Sequence, residues 1–331
     1  MYKDQLFQYG GVPVTSGRPI GMFADTIIFV DGTNGSDDNT GKRPNRAVAT
    51  LSKALTLITT KGGVIYIRPK TRSGSDPGYY SEAATLTLGT HDDISIIGVG
   101  AAGGMNPNGA FMTQIKGSTA ASPIINCLAT GVTIENIDFN RGDTTTGGIK
   151  LYDDSGTTAY NLGNSISNCH FRNLRGSAAA STGAAIIVDG GIFPTINNNF
   201  FYANRCGILL KASTSVIQGI IIKNNMFVGE GDATPESAID ADIYGASLTC
   251  YQMIIDNNLF AHDVPSYATS ADATAYIYIT GGTRGLISNN TFQTDDLVIS
   301  ATPTSTDEVY VPDEVLVSNN HDASGTDPVP A

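Results

Sequence analysis

The chain repeats the stretch Ile222-Lys223-Asn224-Asn225-Met226-Phe227, which reads as an aliphatic residue, a polar residue, Asn, any two residues and Phe. The other copies run from Ile134 to Phe139, Ile166 to Phe171, Ile196 to Phe201, Ile255 to Phe260, Ile287 to Phe292 and, in degenerate form, Val317 to Asp322. Successive copies begin roughly 26 to 33 residues apart, a spacing typical of solenoids. Apolar and polar residues alternate with period two inside each copy, so the copies are predicted to be strands.

A short strand with one apolar face cannot bury that face alone, whereas copies stacked about 4.8 Å apart share a continuous core. We therefore predict an all-β fold, a single-stranded right-handed parallel β-helix with Ile and Phe columns inside. The Asn of each copy is predicted to form a ladder at a turn, because Asn tolerates left-handed backbone angles. An antiparallel sandwich is the alternative, but it does not require Asn-x-x-Phe at every turn.

The sequence also predicts how the chain is organised along its length. Further strands fit between the copies, at Ile149–Tyr152, Ala185–Val188, Gly207–Lys211, Ile239–Ile243, Tyr276–Ile279 and Leu297–Ser300. We predict an extended N-terminal docking arm (1–24), an entry strand with a capping helix (25–63), the β-helix (64–322) and a C-terminal tail (323–331). The loops between strands are the surface positions where function can vary.

A capping helix is predicted because an open β-helix end would pair with other strands. Thr50 can serve as the N-cap of a helix that ends at Gly62-Gly63. Its apolar face follows helical spacing through Leu51, Ala54, Leu55 and Ile58.

The arm before this helix carries aromatic residues and little charge, whereas disordered tails are poor in aromatics. We therefore predict that the arm lies against a partner surface. Its candidate docking residues are Tyr2, Phe7, Tyr9 and Phe23.

Composition narrows the classes of partner. The formal net charge is −12 and only 15% of residues are charged, so the clustered cations that bind nucleic acid are missing. No apolar run approaches the roughly 20 residues that cross a bilayer, and the residues after Met1 lack the pattern of a secretory signal. The four cysteines are far apart in the sequence, so we predict buried, reduced thiols at Cys127, Cys169, Cys206 and Cys250.

The stretch from Ile28 to Gly41, followed by Arg46 to Leu55, resembles the entry to right-handed β-helix proteins of the pectate-lyase-like superfamily, especially those on bacteriophage particles. The resemblance includes the later Ile-x-Asn-Asn-x-Phe rungs, and therefore nearly all of the chain after the arm. Phage members of this superfamily are usually homotrimers that act as glycan-binding or glycan-cleaving tailspikes, or as decoration proteins on capsids. The resemblance implies the fold strongly and the activity weakly.

Motifs with catalytic potential are sparse. Gly98 to Gly103 matches a dinucleotide-binding pattern, but the Gly- and Pro-containing residues after it do not continue as the helix that this site needs. A glycosidase needs two carboxylates about 5 to 9.5 Å apart, and the pairs Asp240/Asp242 and Asp153/Asp154 are candidates. If Ala241 faces inward, Asp240 and Asp242 form only the solvated face of a strand. Tyr276 and Tyr278 are candidates for stacking on sugar rings or for a subunit interface.

We therefore predict no catalytic, cofactor or metal site and expect a virion structural protein. The specific expectation is a homotrimeric capsid decoration protein, assembled in the host cytoplasm, that binds the major capsid protein or another virion component. One alternative is a short tailspike that binds or depolymerises bacterial surface glycan. A second alternative is a secreted polysaccharide lyase or hydrolase.

Overall fold

The structure is a computed structural model of the chain. It describes residues 8–9, 12–13, 26–59, 61–71, 78–82, 84–89, 91–100, 112–117, 123–140, 147–152, 161–174, 184–204, 206–211, 216–228, 240–245, 249–261, 274–293, 299–300, 309–311 and 315–322. Within these ranges the chain coils through three parallel sheets, and one apolar core fills the coil.

Each rung contributes strands to the three sheets in turn. Sheet 1 contains Thr26–Val30, Gly63–Ile67, Ser95–Gly98, Thr133–Glu135, Ser165–Ser167, Gly191–Ile192, Thr195–Asn197, Ile217–Gln218, Ile221–Lys223, Cys250–Asp256, Thr283–Ser288 and Val315–Ser318. Sheet 2 contains Tyr80–Ser81, Thr113–Lys116, Ile137–Asn140, His170–Arg172, Phe200–Tyr202, Met226–Val228, Leu259–Phe260 and Thr291–Phe292. Sheet 3 contains Leu86–Leu88, Ile125–Cys127, Ile149–Tyr152, Ala184–Asp189, Cys206–Lys211, Asp240–Gly245, Thr274–Ile279, Ile299–Ser300 and Val309–Tyr310.

The repeat builds the corner between sheets 1 and 2. Its Ile pairs in register from rung to rung, as Ile134 does with Ile166 and Ile166 with Ile196, and these side chains are buried. Its Phe forms an axial stack from Phe139 to Phe292, with neighbouring ring centroids 4.7 to 5.2 Å apart. The predicted Ile and Phe columns are therefore confirmed.

The Asn at the centre of each copy turns the chain from sheet 1 to sheet 2. All seven of these residues have φ between 52° and 59°, the left-handed conformation that Asn tolerates: Asn136, Asn168, Asn198, Asn224, Asn257, Asn289 and Asn319. The predicted turn is confirmed.

The buried Asn ladder is formed by the next residue, which the sequence pattern treats as variable. Asn199, Asn225, Asn258, Asn290 and Asn320 are nearly inaccessible to solvent. From Asn225 to Asn320, each Oδ1 accepts from the backbone N–H and the amide of the Asn one rung before it, at 2.9 to 3.1 Å. Each amide also donates to a backbone carbonyl, so the corner is hydrogen-bonded throughout these rungs.

The helix α1, Leu51–Leu57, packs its apolar face into the N-terminal part of the core. The Thr50 side chain accepts from the Lys53 N–H at 3.1 Å, which confirms the predicted N-cap. The helix ends before Gly62-Gly63, where the sequence predicts its end, because Ile58 is already extended and Gly63 begins a strand of sheet 1. A short 3₁₀ helix, Pro44–Arg46, precedes α1.

The predicted docking arm lies almost entirely outside the described residues. Its described backbone is a two-residue antiparallel pairing of Gln8–Tyr9 with Val12–Pro13. Tyr2, Phe7 and Phe23 lie outside the described ranges, and only the backbone of Tyr9 is described. Their docking role stays a prediction.

The four cysteines are free and buried, as predicted. Burial raises the pKa of the Cys127, Cys169 and Cys250 thiols to about 12, so these groups stay protonated and unreactive at neutral pH. Cys169 occupies the ladder position in its own rung, where its backbone N–H donates to Asn199 Oδ1 at 2.9 Å.

Candidate functional site

The outer face of sheet 2 carries a buried ion pair between neighbouring rungs. Asp138 lies on the outward row of its strand but is inaccessible to solvent. Its Oδ1 accepts from Arg172 Nε at 2.9 Å, its Oδ2 accepts from Arg172 Nη2, and Gln114 Nε2 adds a contact of 3.2 Å to Oδ2. Since these donors engage both carboxylate oxygens, the cluster is an ordered charged element of the face.

His170 is the register partner of Asp138 on this row, and its ring packs edge-on against Phe200 with centroids 5.3 Å apart. Burial lowers the pKa of His170; nearby Asp138 opposes this shift and Arg172 adds to it. The imidazole is therefore held in its neutral form to a lower pH than in the unfolded chain.

This shift predicts a pH-dependent stability. As pH falls through 6.5 towards the lower pKa of the folded state, the unfolded chain binds a proton that folded His170 does not bind, so stability falls. We expect thermal unfolding between pH 8 and pH 5 to show a steeper loss for the natural protein than for His170→Gln. The exposed His321 provides the control, because His321→Gln should retain the steeper loss. Equal slopes for His170→Gln and the natural protein would contradict this prediction.

Further along the same face, the outward residues change from charged to aromatic and apolar. Tyr202 is the register partner of Arg172 and is 40% exposed, while Phe200 is half-buried. At the other end of the face, Lys116 Nζ lies 4.9 Å from the centre of the Tyr79 ring. Aromatic rings beside hydrogen-bonding groups are the chemistry with which proteins hold sugars.

Sheet 3 carries a second polar cluster on its outer face. Lys150 Nζ lies 3.1 Å from Asp189 Oδ2 and 4.0 Å from the centre of the Tyr152 ring. Asn126 is the register partner of Lys150, and its Oδ1 is buried with no hydrogen-bond partner among the residues that the structure describes. Lys211 is the register partner of Asp189, so Asp189 lies near two cationic side chains.

Beyond this cluster the outer face of sheet 3 becomes apolar. Ile187 and Leu209 are buried, Tyr244 packs against them, and the rings of Tyr244 and Tyr278 stack with centroids 5.2 Å apart. The predicted outward position of Tyr278 therefore agrees with the structure.

The sequence interpretation of Asp242 and Tyr276 is wrong, because both residues point into the coil. Asp242 is 1% exposed and aligns with Tyr276, whose ring packs against Phe260 and Phe292. At this corner of sheet 3, residues 242 and 243 both face the core, which breaks the period-two alternation. The side chain of Asp240 is not described and Asp153 and Asp154 lie outside the described ranges, so those candidates stay predictions.

The glycine-rich stretch that begins at Gly98 has a structural role in its described residues, 98–100. The amide of Asn136 donates to the carbonyls of Gly98 and Gly100 at 2.5 and 2.6 Å, which joins this stretch to the next rung. Within the described ranges, no three His, Cys, Asp or Glu side chains are grouped as metal ligands would be. The described helices also include none long and apolar enough to span a membrane.

Comparison with solved structures identifies the class of fold. Pectate lyase Pel9A superposes with a TM-score of 0.53 and 12% identity, over 91% of this chain and 80% of the lyase. An alginate lyase from Paenibacillus sp. str. FPU-7 gives a TM-score of 0.46 and 15% identity, over 93% of this chain and 99% of the lyase. The tailspike gp49 from Acinetobacter baumannii bacteriophage Fri1, a capsular polysaccharide depolymerase, gives a TM-score of 0.43 and 13% identity, over 81% of this chain and 53% of the tailspike.

The chain thus has the right-handed parallel β-helix fold of pectate-lyase-like proteins. No family model matches the sequence, and no curated protein matches it. At these identities, the similarity establishes the fold alone.

Proposed function

We propose that this protein is a structural component of a bacteriophage particle. Its specific role is that of a homotrimeric capsid decoration protein, assembled in the host cytoplasm, whose N-terminal arm binds the major capsid protein or another virion component. The phage assignment rests on the resemblance of Ile28–Gly41 and the later rungs to β-helices of phage particles.

The observation that carries this proposal is the unbroken axial order of the coil. The Phe stack and the buried Asn ladder join rung to rung at one corner, so the corner is both tightly packed and hydrogen-bonded. The outward ion pairs Asp138–Arg172 and Lys150–Asp189 link further rungs. A stiff rod of this kind suits a protein that projects from, or reinforces, a shell.

The arm provides the first test. Deletion of residues 2–23 is expected to abolish attachment to phage particles while leaving the β-helix folded, because the coil begins with the strand Thr26–Val30. Particle binding is measured by co-sedimentation, and folding by circular dichroism. A matched variant with Tyr2, Phe7, Tyr9 and Phe23 replaced by Ser keeps the length and tests the aromatic side chains. Attachment that survives both changes would contradict the docking role.

Glycan binding, as in a short tailspike, is the second candidate function, and the outer face of sheet 2 favours it. Exposed Tyr202 lies beside Arg172 of the preceding rung and offers an aromatic face next to polar groups. Incubation with acidic and bacterial surface polysaccharides, followed by mass spectrometry of products and by affinity measurement, tests this function. Tyr202→Ala should weaken binding, and Leu162→Ala, which truncates a similarly exposed apolar side chain away from sheet 2, should not.

A further inference from the structure

From the third rung onward, the outer face of sheet 1 changes from polar to apolar along one column of register-paired residues. The first two rungs contribute Ile27 and Val64, which pack in a small cluster of their own with Tyr66 and Ile97. In the third to sixth rungs the column consists of Ser95, Thr133, Ser165 and Thr195. In the next four rungs it consists of Ile221, Ile254, Leu286 and Leu316. Ile254 is 36% exposed and Leu316 is 65% exposed, because each points away from the core. Four aligned aliphatic residues on a surface mark a site of contact with another molecule.

A second column, two residues before the first, contains a strained aromatic residue. Residues of this column have positive φ, the left-handed conformation, in successive rungs: Asp93, Gly131, Gly163, Phe193, Gly219 and Gln252. Backbone N–H groups link these rungs, as Phe193 N–H does by donating to the Gln218 carbonyl at 2.7 Å. A bulky residue with φ of 55° is an outlier, and strain of this kind is concentrated at functional sites.

Phe193 is also 53% exposed, so burial within this chain does not explain why Phe stands where three of the other rungs have Gly. Its ring lies over Gly219 of the next rung, where a β-carbon would collide with it. Tyr251, 42% exposed, is the neighbour of the left-handed Gln252 one rung further. We call Phe193, Ile221, Tyr251, Ile254, Leu286 and Leu316 the lateral stripe.

Charge distinguishes the face around the lateral stripe from the rest of the molecule. The strands Ile221–Lys223, Cys250–Asp256, Thr283–Ser288 and Val315–Ser318 carry three charged side chains, Lys223, Asp256 and Arg284. This face is thus close to neutral in a chain with a net charge of −12. Two copies of an acidic protein repel each other over most of their surfaces, and they approach at lowest cost where charge is balanced.

We propose that the lateral stripe is the surface through which copies of this chain assemble, side by side and parallel, in the homotrimer. This inference deepens the proposed function and rests on it. The stripe runs along the coil axis with one column residue in each rung, so rotation about an axis parallel to the coil brings each rung against the same rung of its neighbour. Copies then touch along the last four rungs of sheet 1, and the polar half of the column and the N-terminal arm remain available to other partners.

The experiment compares substitutions in the two halves of the same column by analytical ultracentrifugation. Leu316→Asp is expected to raise the apparent dissociation constant of the trimer by about a hundredfold or more, because the interface would then bury an unpaired charge. Thr133→Asp adds the same charge in the polar half of the column, and it is expected to leave the trimer intact. Circular dichroism confirms that both variants fold.

Phe193→Gly separates an interface role from a role in folding. Glycine relieves the left-handed strain, so the melting temperature of the monomer should be maintained or raised while assembly weakens. A melting temperature that falls together with an unchanged trimer would show that Phe193 serves folding, and would overturn its part in the interface.

Cysteine crosslinking tests the parallel arrangement. Leu316→Cys is expected to form an intermolecular disulfide under mild oxidation, because Leu316 of one copy meets Leu316 of the next, while the four natural cysteines are buried. A trimer that neither crosslinks at this position nor dissociates with Leu316→Asp would overturn the proposed face and leave the trimer itself standing. A natural protein that is monomeric at all concentrations would contradict the homotrimer as well.

Discussion

Replacement of Asn258 by Ala is expected to lower the free energy of unfolding by about 3–5 kcal/mol. Asn258 is 2% exposed and sits in the middle of the buried ladder. Its Oδ1 accepts from the backbone N–H and the amide of Asn225 at 2.9 and 3.0 Å, and its amide donates to the Ile222 carbonyl at 3.1 Å and to Asn290 Oδ1 at 2.9 Å. Truncation leaves several of these buried groups without partners at once.

The adjacent Asn257 provides the matched control, because it is exposed and has φ of 53°. Asn257→Gly keeps the left-handed turn and loses one exposed hydrogen bond, to Asn224 at 2.8 Å, so we expect a cost below about 1 kcal/mol. Urea denaturation of both variants measures the difference. Equal losses at Asn257 and Asn258 would show that the buried ladder does not set the stability of this corner.

Loss of Arg172 is expected to have a comparable effect, about 3–5 kcal/mol for Arg172→Met. Among the described residues, the change leaves the buried Asp138 carboxylate with Gln114 as its remaining side-chain donor, at 3.2 Å. A buried charge without a cationic partner is costly because the protein interior solvates it poorly.

A double variant separates two contributions to the free energy of unfolding: the cost of a buried charge without a partner, and the net stabilisation by the ion pair itself. Asp138→Leu combined with Arg172→Met removes both charges, and we expect a stability within about 1 kcal/mol of the natural protein. Urea denaturation of the single and double variants completes the cycle. A double variant as unstable as Arg172→Met would mean that the pair itself stabilises the coil, which would contradict this interpretation.

The fold could be predicted from the sequence because the residue types in each copy of the repeat determine which side chains face inward and where the chain turns. Ile and Phe at fixed spacing must point inward when strands stack, and Asn between them is suited to the left-handed turn. The buried ladder was also visible, as Asn-Asn pairs such as Asn257-Asn258 in five copies. It was missed because Ile137 and Cys169 occupy the same position in the first two copies, which made the position look variable.

The candidate sites were harder to predict, because they depend on which residues of different rungs meet. Asp138 and Arg172 are 34 positions apart, and loops of unequal length hide their register from the sequence. Asp242 was misplaced because strict alternation was assumed at a corner where two successive residues face inward. The strain at Phe193 and the change of polarity beside it emerge only once the rungs are aligned.

Cryo-electron microscopy of phage particles that carry the protein would show where the protein lies and how its copies pack. We expect three parallel β-helices on the capsid shell, with the N-terminal arms against the major capsid protein and the C-terminal rungs of sheet 1 facing one another. Density for the protein on the tail, or single coils on the shell, would contradict the account.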